Sequence, residues 1–170
     1  MEISNACGLQ RFFSSGHAMK KYIIKKEIII DDPAERMFSA LTNSVEIPLF
    51  YPLKSVVSTW TVGNEVLYNG EVNGAPFTDY GVIEQLDSPS AYSYRYWSNN
   101  HGTVRVEENF ISINYNVESV GKTTRLTMVQ SNIKSLELYE LMNTQVWEFL
   151  LSSLKKYLEP RTLYQNTGSI

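Results

Sequence analysis

The sequence predicts an α+β chain in which a curved antiparallel sheet of about seven strands wraps around one long C-terminal helix, with two short helices between the first two strands. Short β-branched and aromatic runs, separated by turn residues, fill the middle of the chain. A helix-start signal, Asp32-Pro33, interrupts them early, and from Leu136 onward the apolar period changes from two to three and four. A sheet and a helix that each carry one apolar face bury it against each other.

KYIIKKEIIID, over Lys21–Asp31, is rich in β-branched side chains and predicts the first strand. Asp32 as N-cap and Pro33 at the first helical position predict a helix through AERMFSALTN, with Met37, Phe38 and Leu41 on one side. A second short helix is expected over Val45–Phe50, closed by Tyr51-Pro52. Six strand segments follow: Val56–Thr61, Glu65–Val72, Phe77–Leu86, Ala91–Trp97, Thr103–Glu118 and Lys122–Gln130. Gly63-Asn64, Asn73-Gly74, Asp87-Ser88-Pro89, Asn99-Asn100-His101-Gly102 and Val120-Gly121 separate them, which predicts an antiparallel meander. The last element runs from Leu136 to Leu158, about 34 Å if helical throughout. Tyr139, Asn143, Val146, Trp147, Leu150, Leu154, Tyr157 and Leu158 mark its apolar face. Ser135 is its expected cap and Pro160 its stop.

Composition narrows the function. A chain of 170 residues is one domain that needs no disulfide or metal to be stable, and the single Cys7 is unable to pair within it. The formal charge is −3, with +4 concentrated in residues 1–26 and −7 in the remainder, so nucleic acid is not the expected main partner. No run has the length of a membrane span. Residues 1–20 read as a flexible tail or leader, 21–159 as a single folded domain and 160–170 as a tail. The absence of an export signal and of a disulfide framework points to the cytoplasm. The distinguishing feature is tyrosine: eight of eleven lie between Tyr51 and Tyr139. Each pairs an apolar ring with a polar tip, as a greasy yet hydrogen-bonding surface requires.

The segments IIIDDPAERMFSALTN, VGNEV, TDYGVIEQLDSP, TRLTMVQS and WEFLLSSLKKYLE, in that order, resemble the family of homologues of the activator of heat-shock protein 90 ATPase. The resemblance runs from about Tyr22 to Glu159. It implies the helix-grip (Bet v I-like) fold of the START superfamily and, with it, a hydrophobic cavity between the long helix and the concave sheet. Alternation names a lining for such a cavity. Val66, Tyr68, Tyr92, Tyr94, Tyr96, Ile111, Ile113, Tyr115, Leu126, Met128 and Gln130 share the inward phase, provided that no β-bulge reverses a strand. Phe38 and Leu41 close one end, and Asn143, Trp147 and Leu150 project from the helix. Met128 and Met142 suit an adaptable lining or a plain gap-filling role. Gln130 and Asn143 are polar residues on apolar faces, suited to orienting a ligand or to pairing with protein groups.

Conventional catalytic equipment is sparse. No His/Cys cluster has metal-ligand spacing, no glycine-rich phosphate loop joins a strand to a helix, and no G-x-S-x-G elbow occurs, so no cofactor or metal is expected. His101 falls in a turn and reads as solvated, while His17 lies in the tail. Arg95, Arg105, Arg125 and Glu107 are expected to form charge pairs on the outer sheet face. Asp79 and Glu84 fall on opposite faces of a regular strand, which weakens a paired-carboxylate reading. The leading expectation is non-enzymatic binding of a small hydrophobic or amphipathic molecule such as a lipid or polyketide. A cyclase or dehydratase using cavity tyrosines, and a protein-interaction module related to chaperone ATPase activation, are the alternatives.

Overall fold

The computed structural model describes residues 18–159. Cys7, His17, Pro160, the expected C-terminal tail and most of the expected N-terminal tail lie outside the described residues. The chain runs β1 (Tyr22–Ile30), α1 (Ala34–Leu41), a 3-10 turn (Ile47–Leu49), β2 (Leu53–Ser58), β3 (Glu65–Val72), β4 (Ala75–Asp87) and β5 (Ala91–Ser98). A second 3-10 turn (Glu107–Asn109), β6 (Ile111–Val120), β7 (Thr123–Ile133), α2 (Leu136–Leu141), a π turn (Met142–Val146) and α3 (Trp147–Leu158) complete it. The seven strands form one antiparallel sheet in the order β1-β7-β6-β5-β4-β3-β2. The first two strands therefore occupy opposite edges, and α1 with its 3-10 turn spans the distance between them. This is the predicted helix-grip architecture.

Local chemistry explains most of it. The β3–β4 turn places Asn73 at φ 51° and Gly74 at φ 80°, the paired positive φ angles that a two-residue hairpin requires. Gly81 on β4 has a different purpose: a Cβ there would lie 2.8 Å from Val66 Cγ1 and 3.3 Å from the Tyr94 ring. Its absence lets Tyr94 lean across the strand. A register shift between Ile83 and Gln85 reverses the phase of β4, so that Ile83 opposes Tyr94 and Leu86 opposes Tyr92.

Three expectations are corrected. Pro33, not Asp32, occupies the N-cap position of α1, and no side chain caps that helix. The Pro33 carbonyl accepts the N–H groups of Arg36 and Met37, both at 3.1 Å. The Asp32 carbonyl is turned instead toward the Thr124 hydroxyl, which donates to it at 2.6 Å. Second, residues 103–110 form no strand; β6 begins only at Ile111, because they fold back over the outer face of the sheet. There Arg105 stacks 4.2 Å over the Tyr80 ring, next to Trp97, and forms no cross-strand ion pair among the described residues. The other outer charges pair as expected, Arg95 with Glu84 at 3.1 Å and with Glu107, and Arg125 with Glu118 at 3.1 Å.

The third correction concerns the long helix. Ser135 caps it as expected, accepting the Leu138 N–H at 3.2 Å. Its interior is not uniformly α-helical, however, because Met142–Val146 is a π turn in which the Trp147 N–H reaches back to the Met142 carbonyl. Thr144 sits inside this turn and donates its hydroxyl to the Glu140 carbonyl at 2.7 Å, the kind of side-chain competition that loosens a helical ladder. The extra residue changes the helix's phase. Beyond it, α3 buries Trp147, Leu151, Leu154 and Leu158 in the core, whereas α2 and the π turn bury no residue fully, and Leu138, Tyr139 and Met142 pack against the core half-buried.

Candidate functional site

Where the helix stands off the sheet, a cavity of about 540 Å³ remains. Its roof is Leu138, Met142, Val146 and Leu150, one row of the helix at four-residue spacing. A second row, Leu141, Gln145 and Phe149, forms the rim; Leu141 is 44% exposed and Phe149 57%. Opposite them stand Leu53, Glu71, Val72 and Phe77, so the mouth lies between the helix and the β3–β4 hairpin. Gly70 makes room for Phe77 here, since a Cβ would lie 2.5 Å from its ring.

The floor and far wall are aromatic. Tyr92 stacks on Tyr94 at 5.2 Å and on Tyr115 at 5.9 Å, Tyr94 continues to Tyr68 and Tyr96, and Trp147 meets Tyr115 edge-on at 6.2 Å. Tyr68 and Tyr92 share a hydrogen bond of 2.8 Å between their hydroxyls. Burial pushes the hydroxyls of Tyr68, Tyr92, Tyr94, Tyr96 and Tyr115 well above the ordinary tyrosine range. They are therefore neutral hydrogen-bonding groups rather than ready proton donors. Tyr51 is likewise raised by burial, with the nearby Tyr115 hydroxyl offsetting this in part. Among the described residues, no hydrogen bond of ordinary geometry satisfies Tyr51 Oη, a buried polar atom on the cavity wall.

Gln130 is fully buried beside this wall. Its Oε1 accepts the Trp147 indole N–H at 2.7 Å and its Nε2 donates to Tyr96 Oη at 3.2 Å. Because an indole only donates, the amide orientation is fixed. The relay ties α3 to β7 and β5 and leaves neither end of the amide facing the cavity.

At the end of β5 the cavity wall becomes polar, with Asp79, Asn100 and His101. Asp79 shares the inward phase of Gly81 and lies between Tyr68 and Ser98 in the strand registers. Burial raises its carboxyl to about 6, while the Ser98 hydroxyl partly offsets that rise. His101 packs edge-on against Tyr96 at 5.7 Å. Burial lowers its imidazole to about 4, so it is neutral at neutral pH.

A long helix held over a curved antiparallel sheet is shared with known proteins. The sequence profile of the family described as Activator of Hsp90 ATPase homolog 1-like protein matches residues 31–159. The chain belongs to this family. No curated protein matches it in sequence. Among solved structures, ChR145 from Cytophaga hutchinsonii is similar with a TM-score of 0.70 and 26% identity, over 83% of this chain and 95% of that one. The Aha1 dimer from Colwellia psychrerythraea has a TM-score of 0.66 at 21% identity, over 81% and 96%. A START superfamily protein from Mycobacterium smegmatis gives 0.64 at 11%, over 80% and 96%, and at that identity shows the fold alone.

In this Activator of Hsp90 ATPase homolog 1-like chain, the cavity brings together Leu41, Tyr68, Tyr92, Tyr94, Tyr96, Ile113, Tyr115, Trp147 and Leu150 of the residues expected from alternation. Phe38, Val66, Leu126, Met128 and Gln130 are buried but do not line it, because core side chains fill the inner face there. Ile111 borders a smaller pocket of about 160 Å³ that shares His101 and Leu138 with the main one. Asn143 lines neither pocket; the π turn carries it off the roof row. Conversely, sequence reasoning missed Tyr51, Phe77, Asp79 and His101 as lining residues. For Asp79 a signal existed, its parity with Gly81 and Ile83. His101 offered none, since a turn residue has no strand phase.

No helix among the described residues is long and apolar enough to cross a membrane. No group of three or more His, Cys, Asp or Glu side chains among them is placed to hold a metal ion.

Proposed function

We propose that this protein binds a small hydrophobic or amphipathic molecule in the cavity between the C-terminal helix and the sheet, without transforming it. The observation that carries this reading is the cavity itself: about 540 Å³, open at one side and walled mainly by aromatic and aliphatic groups, within the range of small-molecule sites. The family's fold supports it, as a fold shared with START superfamily proteins. The raised tyrosine hydroxyls also favour holding over proton transfer, because a group whose ionisation is pushed still further above the physiological range gives up its proton poorly.

Trp147 in the wall provides a reporter. Flavonoids, polyketides and alkyl amphiphiles added to the full chain are expected to change Trp fluorescence and to raise the melting temperature. A ligand at 100 times its Kd stabilises the folded state by about 2.7 kcal/mol. Val146→Trp, which fills the roof, is expected to abolish both responses while leaving a cooperative melt. If no compound class moves either signal, or if Val146→Trp binds as well as the parent, the cavity is not a binding site.

A further inference from the structure

The charges around the cavity point to the kind of headgroup it accepts. Among the described residues that line it there is no Lys or Arg. Glu71 lies at the exposed rim and is already paired with Lys54. Asp79 is different: it sits further in along β4, and no cation among the described residues forms an ion pair with it. Its neighbours in register are Tyr68 on β3 and Ser98 on β5, and its charge is felt by Tyr94 and Tyr96. His101, the remaining basic group on the wall, is held neutral by burial and offers no countercharge.

A carboxylate without a countercharge among the described residues, set among tyrosine rings, has the ingredients for ammonium recognition. The carboxylate supplies a countercharge that a half-buried site screens poorly, and aromatic faces attract a cation through their quadrupoles. An anionic headgroup meets the opposite situation: no Lys or Arg among the described residues that line the main cavity, and a negative charge already present. A neutral alcohol would hydrogen-bond but leave Asp79 uncompensated.

We propose that the cavity selects amphipathic cations, an amine or quaternary ammonium beside Asp79 among Tyr68, Tyr94 and Tyr96 with its apolar tail under Leu138, Met142 and Val146. This rests on the binding reading above and narrows it to one class of ligand. At pH 7.5 Asp79 is ionised, since its carboxyl titrates near 6.

The test is calorimetric titration of the full chain at pH 7.5 with four ligands of one chain length: octylamine, octyltrimethylammonium, 1-octanol and octanoate. Both cations are expected to bind at least about tenfold more tightly than octanol, with octanoate weakest. In Asp79→Asn that preference should shrink to within about threefold, through weaker binding of both cations. The ranking in the unmutated protein stands even if the variant folds poorly, and its melting curve reports on that. Equal or tighter binding of octanol or octanoate overturns the inference while leaving ligand binding intact, as does a cation preference that persists in folded Asp79→Asn. Failure of all four to bind, at concentrations up to their solubility, removes the binding reading for alkyl amphiphiles and this inference with it.

Discussion

Along the C-terminal helix, α3 presses Trp147, Leu151, Leu154 and Leu158 into the core, whereas α2 and the π turn bury none of their eleven residues. Both halves face the same sheet. The first is ordinary close packing, with Leu154 fully excluded from solvent. The second lies as a roof over space. The π turn joins the two, so a single helix is both anchor and lid: the phase change lets Trp147 turn down onto Gln130 while the preceding turns hold Leu138 and Met142 above the cavity. The contrast places close packing in one half of the element and the open side of the cavity in the other.

Truncation separates the halves most directly. Leu154→Ala removes a fully buried side chain and is expected to cost about 2–5 kcal/mol in chemical denaturation, through lost burial and the void left behind. Leu141→Ala, at a rim position, should cost less than about 0.5 kcal/mol while altering ligand affinity. Comparable losses at both sites would show that α2 is packed as firmly as α3.

The joint between the halves gives the next effect. Trp147→Phe removes the indole N–H and leaves Gln130 Oε1 buried without a donor, at a cost of about 1–3 kcal/mol. Gln130→Leu should cost a similar amount, since it strands both the indole N–H and Tyr96 Oη. The double variant is then less destabilised than the sum of the two, because the pair no longer has a mismatched member. Strict additivity would mean that the relay does not latch the helix.

How much of this is legible before the structure depends on range. Tyr68, Tyr92, Tyr94, Tyr96 and Tyr115 are found because period-two alternation is a local signal, and the fold because seven strands and a period change are visible in order. Gln130 is visible as an anomaly on an apolar face. Its partners are not, since Trp147 and Tyr96 lie 17 and 34 residues away. Asn143 is misplaced because a π turn leaves no periodic signature of its own and shifts the phase of the turns around it. Asp79 escapes notice when weighed only against Glu84; the bulge at residues 83–85 makes the distant parity of β4 unreliable, although the nearer parity with Gly81 holds.

The smallest expected effect is a cancellation, and it concerns the open side. Between about pH 3.8 and 6 the folded protein keeps a proton on Asp79 that the unfolded chain has released, so this group alone makes stability fall as pH rises. Between about pH 4 and 6.5 the unfolded chain holds a proton that the buried imidazole of His101 refuses, so this group alone makes stability rise with pH. At pH 5 each state carries one proton on the pair, and the slopes oppose each other. Stability of the unmutated protein, measured by urea denaturation, should therefore change little on account of this pair from pH 4 to 6. Asp79→Asn is expected to expose the His101 slope, with stability increasing with pH by at most about 1.4 kcal/mol per unit. His101→Gln is expected to expose the opposite slope. The packed half of the helix buries only apolar groups and the Trp147 indole, so Leu154→Ala should lower the whole curve without tilting it. A tilt in Leu154→Ala would couple the packed half of the helix to the proton-sensitive groups, and an Asp79→Asn curve as flat as the parent's would remove Asp79 from the pair.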